Sequence, residues 1–280
     1  MRRQLWSVAA LSAALVLGDA TAATAAGPAW TEAGTAYVDS LSGGQGLASR
    51  ADGTLLYRGL GSIPLSLRIE GWNHVGDPDI ARGYVFDAYQ GPDSATSKMY
   101  AVTTPAGQRY EYVHRLDPGE KLNNSFAAVS PDAQWLVSGE WGDQDRLQVF
   151  PAPLLNASTP RAGGALPQAP QITLDKPVRD IQGCDFVNDT RLLCASDDGS
   201  RTLFPEDRPV LQVDLEHRLD GGPVTGHVTS LFALPQRSVC TGTFEAEGVD
   251  YDAARGVLRT EVVQPGVCQV ATTVHLYRQQ

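Results

Sequence analysis

Residues 126–137 read FAAVSPDAQWLV: a short apolar approach, a turn on Ser130-Pro131-Asp132, then a strand from Trp135. Pro presets φ at the second turn position and Asp caps turn amides, so the reversal has a mechanism. Working outward, the same form recurs. Gln45-Gly46-Leu47-Ala48 leads to Ala51-Asp52-Gly53 and the strand Thr54-Leu55-Leu56-Tyr57. Residues 77–86 turn at Ala81-Arg82-Gly83 into Tyr84-Val85-Phe86. Cys184-Asp185-Phe186-Val187 turns at Asn188-Asp189 into Leu192-Leu193-Cys194, and Leu231-Phe232-Ala233-Leu234 turns at Pro235-Gln236-Arg237 toward Val239-Cys240. The turns follow one another at roughly 30–57 residues, around the forty to fifty of a four-stranded propeller blade. One hairpin unit cannot bury both its faces, whereas a ring of them does.

The pattern therefore predicts an all-β chain forming a single β-propeller of five blades. A further turn at residues 252–256, followed by Val257-Leu258-Arg259-Thr260, makes a sixth arguable. A β-sandwich is the rival arrangement of such strands. Residues 272–277 are expected to pair with the first strand near Tyr37, closing the ring and removing two sheet edges. Residues 157–170, rich in Pro, Ala and Gly, read as a long surface loop.

The start of the chain has a different grammar. Arg2 and Arg3 precede an apolar run over residues 5–18, and Ala23-Thr24-Ala25-Ala26 has the small-residue form of a signal-peptidase site. Residues 1–26 are expected to be a signal peptide and residues 27–280 the propeller domain, released outside the cell. Removing the leader takes away two Arg and one Asp, so a formal charge of −10 becomes −11. No basic run occurs, and the negative charge disfavours partners that need Lys/Arg patches, nucleic acid and anionic membrane among them. The partner is expected to be an extracellular ligand, carbohydrate or protein, met by a monomer. The 4 cysteines, in an exported chain, read as disulfides. Three pairings are open. Cys184 and Cys194 flank one turn and are expected to face each other, leaving Cys240 with Cys268.

Residues 71–91, GWNHVGDPDIARGYVFDAYQG, hold the densest set of ligand-type side chains. Asp77 and Asp79 are two apart in extended backbone, so both carboxylates are expected on one face. Paired carboxylates repel unless they share a cation or proton, which makes Asp77, Asp79 and Asn73 the candidate Ca²⁺ ligands, with Asp87 a possible addition. The bland alternative is that these side chains cap their own turn amides. His74 either pairs with an Asp as a general base or bonds a blade carbonyl, the commoner situation. The other histidines are scattered. His74, Trp72, Trp141 and Glu140 are the candidate ligand contacts, the last two from the knot Glu140-Trp141-Gly142-Asp143-Gln144-Asp145. Trp135, inside a strand, reads as core. No HExxH and no G-x-S-x-G is present. Two readings follow: a secreted binding or scaffold propeller with a structural Ca²⁺, or a carbohydrate-active enzyme using funnel carboxylates such as Glu140, Asp77 or Asp185.

Two segments carry a resemblance. Ser130-Pro131-Asp132-Ala133-Gln134-Trp135-Leu136 is similar to the SPDG-x-W-L turn of TolB/WD40-like blades. Asn73-His74-Val75-Gly76-Asp77-Pro78-Asp79 resembles the N-H-x-G-D-x-D segment of secreted bacterial and fungal β-propeller proteins of largely unassigned function, in which a Q-G-(I/L)-A segment, here Gln45 to Ala48, is also typical. His275-Leu276-Tyr277 fits the same pattern. The resemblance implies the propeller fold and delivers no activity.

Overall fold

The computed structural model describes residues 29–122 and 126–280. The expected leader lies outside the described residues. Five β-units follow one another, named blades I to V. Blade I is a hairpin of Gly46–Ser49 and Leu55–Arg58, continued by the short helix Leu65–Ile69 in place of outer strands. Blade II runs from the axis outward as His74–Val75 with Asp79–Ala81, Tyr84–Gln90, Ser97–Thr103 and Arg109–Arg115. Blade III is Ala128–Val129, Trp135–Ser138, Asp143–Pro151 and Ile172–Arg179. Blade IV is Ile181–Asn188, Arg191–Ser196, Pro209–Leu215 and Val224–Ala233. Blade V is Glu245–Asp252, Val257–Val263 and Ala271–Gln279, completed by the first strand, Trp30–Asp39.

The innermost strands of the five blades touch in a closed circuit, I to II to III to IV to V and back to I. This is a five-bladed β-propeller. The expected closure is present: Tyr37 sits opposite Thr273, and Gln280 N donates to Ala29 O at 3.1 Å.

Period-two alternation sorts the core into slabs between neighbouring blades. Phe126 and Ala128 face blade IV while Ala127 and Val129 face blade II. Leu192 and Cys194 face blade III, and Leu193 and Ala195 face blade V. A smaller slab joins Ile63 and Leu67 of blade I to Val75, Tyr89 and Met99 of blade II. Among the described residues no apolar slab spans blades V and I. That seam is polar: Asp250 accepts from Ser49 N and Ser49 Oγ, each at 2.6 Å, and pairs with Arg259 at 2.6 Å.

Four of the five anticipated entries are blade entries, but the one at Pro235 is not. Leu231–Ala233 ends the outermost strand of blade IV, and residues 234–244 connect it to blade V. The true fifth entry is Glu245–Asp252 with the turn at residues 252–256, so no sixth blade is needed. The loop expected over residues 157–170 also does more than connect. Gly164–Ala165 adds a parallel strand to the outer edge of blade II, and Leu166, 2% exposed, anchors it there.

Both expected disulfides are present. Cys184 and Cys194 lie directly opposite in the blade IV hairpin, with Cα atoms 4.0 Å apart. Cys240–Cys268 ties the connector between blades IV and V to the turn Gly266–Val270. Two disulfides fit an oxidising, extracellular compartment.

Candidate functional site

Three of the five innermost strands share one local plan. Gln45-Gly46-Leu47-Ala48, Gln182-Gly183-Cys184-Asp185 and Glu247-Gly248-Val249-Asp250 each place a polar residue, a glycine, an apolar residue and a fourth residue in order. In blade II Asp77 stands where the others have Gly, and Asp79 is the fourth residue. Asp77 projects onto the axis, where Oδ1 accepts from Leu47 N at 3.0 Å and Oδ2 from Val249 N at 2.9 Å. A Cβ on Gly46, Gly183 or Gly248 would overlap Asp77, so these positions are glycine for room. The result is a closed waist.

Beyond the waist, each fourth-residue Asp reaches the next blade. Asp79 accepts from Val129 N at 2.6 Å, Asp185 from Tyr251 N at 2.6 Å, and Asp250 from Ser49 N. The other oxygen of Asp79 and of Asp185 takes the next amide of its own strand, Ile80 N at 2.5 Å and Phe186 N at 2.6 Å. Each such bond contributes roughly 0.5–1.5 kcal/mol, so the staples stand in for a ladder that inner strands of different blades cannot build. Burial pushes Asp79 up to about 6, and burial with the charges of Asp79 and Asp250 pushes Asp185 well above the carboxylate range. These acids line a lower cavity of about 880 Å³, rimmed by Arg50, Arg82 and Arg255.

Above the waist lies a second cavity, of about 590 Å³. All five blades contribute to it: Gln45 from I, His74, Gln90 and Asp93 from II, Lys121, Leu122 and Trp141 from III, Gln182 from IV, and Glu245 and Glu247 from V. Glu247 is 4% exposed, and its Oε1 accepts from Gln45 Nε2 at 3.1 Å. Burial and the neighbouring acids Glu245 and Glu261 hold its carboxyl well above the usual range. Burial also raises Glu245, which is exposed at the rim, and lowers His74. Trp141 stands 46% exposed at the mouth.

The candidates read from sequence separate. His74 and Trp141 line the upper funnel, and among the described residues the His74 ring has no hydrogen bond, contrary to the carbonyl-bonded histidine expected. Trp72 instead packs on the blade I–II slab, where Val75 and Tyr89 give its ring an apolar bed. Glu140 is buried behind the funnel wall, held by Arg146 at 2.8 Å and by Lys121 N at 2.9 Å. Burial opposes ionisation of Glu140, but the bonds from Arg146 and Lys121 N outweigh it and lower its pKa. Asp77 and Asp79 do not converge: one holds the waist and the other the lower cavity, and every one of their four oxygens takes an amide N–H. Asn73 is exposed, its N–H bonded to Gln90 O at 3.1 Å, and Asp87 pairs with Arg58 at 2.6 Å. Trp135 packs against the blade III–IV slab, as expected.

A different group has the spacing of metal ligands. His114, Asp117 and Glu120 bring ligand atoms within 4.8 Å of one another and could hold an ion. His114, which the sequence left as scattered, is buried with Nε2 2.8 Å from Glu120 and Nδ1 3.1 Å from Leu166 O. Both ring nitrogens face oxygen atoms. Glu120 also takes Lys98 at 3.0 Å, Gln148 Nε2 at 2.6 Å and Asp117 N at 2.9 Å. Burial works against it, yet the His114 bond and the Lys98 charge draw it far below the carboxylate range.

The polar funnel residues missed in sequence are Gln90, Asp93, Lys121, Gln182, Glu245 and Glu247. The available signal was the recurrence of Gln or Glu immediately before glycine at residues 45, 182 and 247.

Fold and site together define a five-bladed propeller with a blind funnel at each end of its axis. No family model and no curated protein matches the chain. Among solved structures, native Bacillus subtilis arabinanase Arb43A is similar at 12% identity and TM-score 0.43, over 90% of this chain and 92% of that one. A likeness at that level bears on neither activity nor ligand.

Proposed function

We propose that this is a secreted propeller that binds a carbohydrate-like, polyhydroxylated ligand in the upper funnel. The observation that carries the reading is Trp141 of blade III, half exposed over a cavity to which the other four blades supply amide or carboxyl side chains. An aromatic face covers the apolar side of a sugar ring while fixed amides and carboxyls meet its hydroxyls. The test is binding of the mature protein to a glycan array, repeated with Trp141→Ala. The expected result is a defined set of bound glycans and a loss of binding of at least about tenfold in the variant, roughly 1.4 kcal/mol. Retained binding by the variant would remove the funnel from the reading.

A second reading is a glycoside-acting enzyme. It is favoured by Glu247, a buried carboxyl two residues from the exposed Glu245, since burial raises both and a carboxyl held above its usual range is what an acid at a glycosidic oxygen requires. Release of reducing ends from the bound glycans, abolished by Glu247→Gln, would select it.

The cation expectation is tested separately by melting with EDTA and then with added Ca²⁺. A cation at Asp77 and Asp79 would meet carboxylates already taken by amides, and one at His114, Asp117 and Glu120 would compete with the Lys98 ammonium. The expected melt is unchanged within about 1 °C. A Ca²⁺-specific rise of several degrees, as a ligand at a hundred times its dissociation constant contributes about 2.7 kcal/mol, would restore the metal site.

A further inference from the structure

The upper funnel is unbalanced in a way that a site for neutral sugars does not require. Its side chains include three carboxyl groups, Asp93, Glu245 and Glu247, and the amide groups of Gln45, Gln90 and Gln182. Among the described residues no arginine lines it, its one lysine, Lys121, donates to Asp143 O at 2.6 Å, and burial lowers the pKa of its one histidine, His74. Gln45 turns its NH₂ to Gly44 O and Glu247, which places its donors on protein acceptors as well. Hydroxyl ligands both donate and accept, and a funnel for them gains from a mixture of fixed donors and acceptors. Among the described residues the NH₂ groups of Gln90 and Gln182 stay free to donate; what is one-sided is the ionic lining, the exposed carboxyls of Asp93 and Glu245 against the single ammonium of Lys121, on a chain of formal charge −10.

Clefts lined by one sign of charge concentrate ligands of the other sign. An indole face beside carboxylates is, in addition, the arrangement that attracts an organic cation, through the ring quadrupole and the acids together. Trp141 at the mouth with Asp93 and Glu245 exposed beside the same cavity is that arrangement.

From this juxtaposition we infer that the ligand carries a protonated amine next to a ring face, so that within the carbohydrate reading it is an amino sugar. The inference rests on the proposed ligand class and narrows it. Asp93 and Glu245 receive the ammonium, Trp141 covers the ring, and Gln45, Gln90 and Gln182 meet the remaining hydroxyls.

Calorimetric titration with three oligosaccharides of equal length and linkage separates the possibilities: β-1,4-linked glucosamine, its N-acetylated form and the corresponding glucose oligomer, at about pH 6, where an aliphatic amine is charged. The expected result is binding of the amine at least about tenfold tighter than either neutral oligomer, with a preference that shrinks as salt is raised. In the double variant Asp93→Asn, Glu245→Gln the preference falls below about threefold, while the melting temperature, read from both exposed positions, stays within about 1 °C. Equal or tighter binding of a neutral oligomer overturns the amine and leaves the carbohydrate reading standing. Binding of none of the three overturns both. An unchanged preference in the double variant assigns the amine elsewhere and ends the inference as stated.

Discussion

Glu261 is fully buried with no side-chain hydrogen-bond partner among the described residues, and the Gly248 N–H beside it, which lowers its pKa, is outweighed by burial. Burial raises its pKa far above the ordinary value, with Asp250 adding to the effect. Below an unfolded pKa of about 4.3 both states are protonated and nothing is lost. Above it the unfolded chain ionises while the folded one does not, so this residue's contribution falls as pH rises toward its folded pKa. Glu261→Gln keeps the shape and removes the titration. The variant should melt about 2–4 °C or more above the parent at pH 7, with the difference vanishing near pH 4. Equal melting temperatures at pH 7, or a lower one for the variant, would show that Glu261 is satisfied in a way its surroundings do not display. The residue scale is also where the sequence was least legible. Glutamate at position 261 sits in a run, VLRTEVV, that reads as an ordinary alternating strand with its polar face in water, and only the neighbouring blade reveals that both faces are covered.

At the scale of the element, the innermost strand is the working unit: a funnel residue, a glycine at the waist, and an acid that staples the next blade. Gly183 is the clearest case, since a Cβ there would meet both Asp77 Oδ2 and Val249 N. Gly183→Ala should lower stability by roughly 1–3 kcal/mol, the usual effect of overpacking. Gly34→Ala, with open space around it, should stay within about 0.5 kcal/mol. Denaturant titration of the two variants checks this, and equal losses would remove the steric argument. Four inner strands were readable because Gly, Pro, Asp or Asn marks their exits. The fifth was misplaced for a physical reason. Glu245–Asp252 carries a bulge at Glu247-Gly248 that breaks the alternation, and its sequence EAEGVDYD is polar because the funnels on the axis are polar. Apolar Leu231–Leu234 followed by Pro235 imitated an entry although it ends an outer strand. Convergence of Gln45, Gln182 and Glu247 is set by ring closure, which no local spacing encodes.

For the whole molecule, closure depends on a strand borrowed from the other end of the chain. Trp30–Asp39 covers the outer edge of Ala271–Gln279, next to the one seam that lacks an apolar slab. Removing residues 29–39 should lower the melting temperature by more than about 5 °C and expose an unpaired edge that self-associates. Size-exclusion chromatography and melting test this, and a peptide of residues 29–39 added in trans should reverse both effects. A truncated chain that stays monodisperse with an unchanged melt would mean the seam holds by itself. The closing pair was legible in sequence, because both segments are β-rich and a propeller's ends must meet. The polar character of the seam was not, since Ser49 lies some two hundred residues from Asp250 and Arg259 along the chain.

The side chain of Asp77, set among three glycines, has a consequence for traffic. A ring with a blocked hub is a pair of cups and not a pipe. Whatever enters the upper cup leaves by the same mouth, and a polymer cannot be threaded through to the far side. A long glycan would therefore present a chain end or a side branch to the floor formed by Glu247 and Gln182, with the rest of the polymer lying outside the rim beyond Trp141.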